Sequence, residues 1–130
     1  MNREYENVGE FHMRFGAPYA DKPTLLSKAR VEKRSEWMRE EIDELNEAVD
    51  IYEQADAMID LIYFALGTLV EMGVQPDEIF DIVHEANMTK LFEDGTVHYR
   101  GTKVIKPPHW QDPKPKIIDA IDKMGKMGDE

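Results

Sequence analysis

The run EEIDELNEAVDIYEQADAMID, residues 40–60, decides how this chain folds. On a helix, Glu40 and Glu44 stand four residues apart and Glu41 and Glu44 three apart, so each pair shares a patch of surface. Asp56 and Asp60 repeat the four-residue spacing on the segment that follows. Asp60 lies among Met58, Ile59, Leu61 and Ile62, and taking an unpaired carboxylate out of water is costly. Acids in such surroundings need cations, or a proton, to neutralise them. Two facing helices that both present carboxylates point to a divalent-metal site.

The apolar spacing ranks the candidates. Met38, Ile42, Leu45 and Val49 mark a buried stripe on the first segment. At about 100° per residue, Glu41 lies about 70° from the centre of that stripe, Glu44 about 130° and Glu40 about 170°. Geometry therefore favours Glu41 and Asp60, then Glu44, with Glu40 looking outward. Asp43, Glu47, Asp50 and Glu53 read as a solvated face. The acids share one ion within a chain only if the helix breaks between them. In one straight helix Glu44 and Asp60 would stand about 24 Å apart. No Gly or Pro marks a turn around residues 50–54. Either the chain reverses there in a short connection, or the acids meet between subunits.

Composition narrows the class. A chain of 130 residues is expected to form one domain. It contains no cysteine, which excludes disulfides and Cys-ligated zinc. The polar opening MNREYENVGE does not read as a signal peptide, and no apolar run is long enough to span a bilayer. A soluble, cytoplasmic protein with no membrane partner is expected. The formal charge of −11 argues against nucleic acid as a partner. That charge is uneven: residues 1–83 hold 8 basic and 19 acidic side chains, whereas residues 84–116 hold 6 and 4. A small phosphorylated ligand remains compatible if metal ions and local cations meet it.

Outward from the central run, the spacing predicts helices with polar or glycine ends. Residues 4–16 place Val8, Phe11, His12 and Phe15 at helical intervals, with Gly16 as the stop and the aromatics directed to the core. His12 reads as a partly exposed helical residue. A long helix is predicted over about 27–49. The most apolar helix covers 55–72; it should be buried nearly all round and end at Gly73. Pro76 opens the next helix, with Ile79, Phe80, Val83 and Met88 for the core and His84, Asn87 and Lys90 along one face. From residue 92 the texture becomes rich in Gly and Pro. Short strands are predicted near 96–99 and 102–105, and Arg100, Lys103 and Lys106 with Tyr99 and Trp110 form a basic aromatic loop. The expected architecture is all-α: an antiparallel bundle of four to five helices, with a core over about 4–91, a loop over about 92–115 and a short helix over about 116–124. The apolar helix exceeds what one short chain covers, so a homodimer or homotetramer is expected.

The run EEIDE resembles the E-E-x-x-E motif of the all-α nucleoside triphosphate pyrophosphohydrolases, which include MazG-like proteins, dimeric dUTPases and phosphoribosyl-ATP pyrophosphohydrolases. DLIYFALG from Asp60 resembles the sequence at the aspartate of that family's E-x-x-D, and HEANMTKL and GTKVIKPPHW resemble its phosphoribosyl-ATP pyrophosphohydrolase-like branch. The likeness runs from about residue 8 to residue 113. It implies Glu40, Glu41, Glu44 and Asp60 as ligands of Mg²⁺ or Mn²⁺, and hydrolysis of a nucleotide between its α and β phosphates. One departure stands out. Ala57 occupies the position of the first glutamate of E-x-x-D, and Asp56 just before it is a substitute ligand. The number of metal ions therefore stays open.

In this chemistry Glu41 or Glu44 accepts the proton of an attacking water. His84, Asn87, Lys90, Arg100, Lys103, Lys106 and Trp110 are the substrate-side candidates, offering donors to phosphates and a ring for a base. General nucleotide clearance and phosphoribosyl-ATP hydrolysis both remain open. Two other classes compete: a di-iron carboxylate bundle using Asp81-x-x-His84, and a helical dimerisation module that binds nucleotide without turnover.

Overall fold

The computed structural model describes residues 1–127. In chain order the described residues form α1 (Asn2–Phe15), α2 (Lys28–Glu47), α3 (Ile51–Met72), α4 (Asp77–Met88), strands β1 (His98–Arg100) and β2 (Lys103–Ile105), and α5 (Lys114–Met127). The fold is all-α with one small antiparallel hairpin, in which His98 pairs with Ile105 and Arg100 with Lys103. The strands and the last helix fall within a few residues of their expected positions.

The chain does reverse between the two acidic segments, and it needs neither Gly nor Pro to do so. The Asp50 side chain caps α3 by accepting from the Glu53 N–H at 2.8 Å. The Glu53 carboxylate reaches back to accept from the Val49 N–H at 2.9 Å. This is a near relative of the reciprocal capping box, and Asp-x-x-Glu is its sequence signature. The other ends follow the sequence reading. Ser27 caps α2 by accepting from the Arg30 N–H, while Gly16 and Gly73 close α1 and α3 in the left-handed conformation.

α3 is the central helix, packed against α2 on one side and α1 on another. Arg30 meets Glu71 and Arg34 meets Thr68 across the α2–α3 seam, so these helices run antiparallel with residue numbers that sum to about 101. Val8 of α1 forms the core with Leu66 and Val70 of α3, flanked by Tyr5 and Leu69. The 16–27 connection is held to the end of α3 by Ala20 N–H to Val70 O and Thr24 N–H to Met72 O. Gly73 is required twice there: its φ is +67°, and a Cβ would fall 2.4 Å from the Lys22 carbonyl oxygen. α4 leaves α3 at a bend of 119° and packs chiefly on α5. Among the described residues no single helix is long and apolar enough to cross a membrane.

Burial differs from the periodicity reading in several places. Ile42 and Val49, assigned to the buried stripe of α2, are exposed, Val49 at 85 %. Phe11 and Phe15 also lie on the surface, stacked on each other, and Phe80, Val83 and Met88 of α4 are exposed. α3 is not covered all round, because Ile51, Tyr52, Ile59, Ile62 and Tyr63 face outward. Conversely His12 is buried, with Nδ1 2.7 Å from the Pro18 carbonyl oxygen. Three helices enclose one narrow seam, and the chain fills much of it with polar groups that pair with one another.

Candidate metal centre

Glu41 and Glu44 come from α2 and Asp60 from α3, and their carboxylates each offer an oxygen within 4.8 Å of the others. The turn at 48–50 makes this meeting intramolecular, and the seam register sets it. Glu41 and Asp60 sum to 101, as do Arg30 and Glu71. The same register puts Glu44 level with Ala57, a buried residue. A glutamate at position 57 would have faced Glu44; the methyl group of Ala57 offers no ligand there.

Electrostatics single out Glu41. It is only 9 % exposed, and its Oε2 is buried without a hydrogen-bond partner. Burial first, then the adjacent Glu44 carboxylate and the charges of Asp60 and Asp56, push its acid up to about 7. Asp60 is raised as well, by burial and then by the charges of Asp56 and Glu44. No Lys or Arg forms an ion pair with Glu41, Glu44 or Asp60 among the described residues. A buried acceptor atom with nothing to accept from, surrounded by three further acids, fits a small hard cation.

The other expected ligands stand differently. Glu40 is exposed and lies outside the cluster, as the helical geometry ranked it. Asp56 is exposed and acts on Glu41 and Asp60 through its charge, but it does not join the 4.8 Å group. It instead borders a small recess with Glu44, Glu47, Ala48 and Glu53. Asp81 and His84 are also outside the cluster.

The substrate-side candidates gather on the arm made by α4, the hairpin and α5. Arg100 and Lys103 are cross-strand partners beside the hairpin turn. Lys90 and Lys106 both lie over the Trp110 ring, 5.8 and 4.8 Å from its centroid. Trp110 itself donates from Nε1 to the Ala86 carbonyl at 2.7 Å and pins the loop to α4. His84 and Asn87 are exposed on α4.

The sequence reading passed over the seam above the acids. Glu71, buried at 4 % exposure, accepts from Arg30 Nε at 2.8 Å and Nη2 at 2.9 Å and pairs with Arg34 Nη1 at 3.2 Å. Arg34 also donates to Thr68 Oγ1 and to the Phe64 carbonyl, and its guanidinium lies 5.1 Å from the Trp37 ring centroid. This layer fits because position 67 is glycine: a Cβ there would stand 2.2 Å from Arg34 Nη2 and 2.9 Å from His12 Nε2. An acid at the end of the most apolar helix was the available signal.

The chain is similar to known proteins in sequence and in fold. A family model described as phosphoribosyl-ATP pyrophosphohydrolase matches residues 8–87. Among solved structures, a protein from Exiguobacterium sp. 255-15 assigned as an NTP pyrophosphohydrolase is 29 % identical to the chain. That likeness covers 95 % of this chain and 96 % of the other, with a TM-score of 0.53. No curated protein matches.

Proposed function

The chain belongs to the phosphoribosyl-ATP pyrophosphohydrolase family, and from that premise we propose that Glu41, Glu44 and Asp60 hold Mg²⁺ or Mn²⁺ for nucleotide hydrolysis between the α and β phosphates. The products are a nucleoside monophosphate and pyrophosphate. The observation that carries this reading is the orphaned Oε2 of Glu41, a residue whose carboxylate lies within 4.8 Å of those of Glu44 and Asp60. A bound divalent cation supplies positive charge against the acids and polarises phosphate oxygens.

The chain's own groups do the rest. Asp60, fixed on the central helix, and Glu41, buried at the seam, set the position of the ion. Glu44 is exposed beside Glu41 and accepts the proton of the attacking water, a role Glu41 can share. The water oxygen bonds to phosphorus, the bridging P–O bond breaks, and pyrophosphate departs with the electron pair. Glu40 and Asp56, outside the three-carboxylate cluster, would add negative potential that favours a cation there.

Arg100, Lys103, Lys90 and Lys106, with His84, Asn87 and Trp110, sit on an arm that packs chiefly on itself. In this reading they meet a nucleotide held by the acids of a second copy. The outward Ile59, Ile62 and Tyr63 of α3 flank Asp60 in sequence and provide the apolar surface for that contact. The assembly is a homodimer or homotetramer. A folded monomer with full turnover in sedimentation would overturn it.

The deciding experiment is a screen of ribo- and deoxyribonucleoside triphosphates with phosphoribosyl-ATP, in Mg²⁺ and in Mn²⁺, with products separated by chromatography. Monophosphate with pyrophosphate is expected. Orthophosphate as the first product, or turnover in excess chelator, would refute the proposal. The family description favours phosphoribosyl-ATP as a second reading, and its arm of the screen tests that directly.

A further inference from the structure

A large cleft among the described residues lies away from the acids, between α4, the loop after it and the start of α5. It encloses about 780 Å³, within the range of small-molecule sites (roughly 300–1,000 Å³). No residue of α2 or α3 lines it. Its walls include Trp110, His98 stacked at 3.8 Å on Phe92, and the Pro107–Pro108 pair, a set of flat faces suited to a planar ring.

Charge is sorted around this cleft. Residues 84–116 contain four acids, Glu85, Glu93, Asp94 and Asp112, and all four line it. Of the six Lys and Arg in the same segment, only Lys116 does. Asp94 is occupied by Thr96 and Asp112 by the Lys114 N–H. The Glu85 and Glu93 side chains have no hydrogen bond or ion pair among the described residues. An ionised carboxylate only accepts hydrogen bonds, so the walls ask for a flat ligand that donates. Lys90 and Lys106, on the Trp110 ring, stand where a phosphate attached to such a ring would find cations.

We infer that this cleft binds an amino-bearing nucleobase, its ring between the Trp110 and His98 walls and its exocyclic amino group donating to Glu85 or Glu93. This inference rests on the proposed function and names the base subsite of the same substrate: Trp110, Lys90 and Lys106 serve both, whereas no residue of the acid cluster lines the cleft.

Calorimetry on the full chain in chelator tests the inference, with adenosine against purine riboside (the same molecule without its amino group) and cytidine against uridine. Nucleosides carry no phosphate, so the acid cluster has nothing to hydrolyse. Adenosine should bind roughly tenfold or more tightly than purine riboside, the effect of a hydrogen bond to a charged acceptor. The Glu85→Ala/Glu93→Ala double variant, which removes both acceptors at two exposed positions, should lose that preference. Asp60→Asn should retain it even where nucleotide turnover is abolished. Absence of saturable heat at millimolar nucleoside, equal affinity for adenosine and purine riboside, an unchanged preference in the double variant, or loss of binding in Asp60→Asn would each overturn the assignment.

Discussion

Glu41→Gln should change how the stability of the metal-free protein responds to pH, in a way that isolates one carboxyl group. In the unfolded chain Glu41 titrates near its ordinary 4.5; in the fold, burial and then the neighbouring Glu44 push it up to about 7. Between those values the folded state keeps a proton that the unfolded state has lost, so stability falls as pH rises through the window. Integrating the two titrations from pH 5 to pH 8 gives a loss on the order of 2–3 kcal/mol from this group. Glutamine has nearly the same shape and no charge. The assay is urea unfolding of wild type and Glu41→Gln in chelator at both pH values. Their stabilities should lie closer at pH 5 and separate by an amount on the order of 2–3 kcal/mol at pH 8, with the variant the more stable. Mg²⁺ should then raise wild-type stability at pH 8 and leave the variant nearly unchanged. A difference between the two proteins that does not vary with pH would refute the argument, because carboxylates remote from Glu41 cancel in the comparison.

Further outcomes follow from the seam and its ends. Gly67→Ala drives a methyl group into the Arg34 guanidinium and His12 and should cost about 1–3 kcal/mol in chemical denaturation; an unchanged urea midpoint would contradict the close approach. Glu71→Ala strands the buried Arg34 and should cost about 3–5 kcal/mol, a loss that a wild-type-like melting curve would rule out. Asp50→Ala removes the cap of α3 and should cost about 1 kcal/mol; metal affinity, read by calorimetry, should fall with it because the turn aligns Glu44 with Asp60. Asp60→Asn should abolish nucleotide turnover, and retained turnover in a pyrophosphate-release assay would remove Asp60 from the metal centre.

The helices of this protein are written locally. Gly16, Ser27, Gly73 and Pro76 mark ends that the structure reproduces, because capping and left-handed closure involve only a few neighbouring residues. The acids of residues 40–60 were visible for the same reason, and so was the sign Asp-x-x-Glu of the turn, though its weight was not recognised. Burial was not local. Periodicity assigned Val49, Phe15 and Phe80 to a core, yet three helices share one seam and leave those faces open. Arg34, His12 and Glu71 went inside instead, since each finds its partner on another helix or loop. What only the tertiary structure decided is the register that brings Glu41 to Asp60 and Glu44 level with Ala57. That register depends on side chains up to 41 positions apart in sequence meeting at once, and no window along a single helix contains both halves of such a pair.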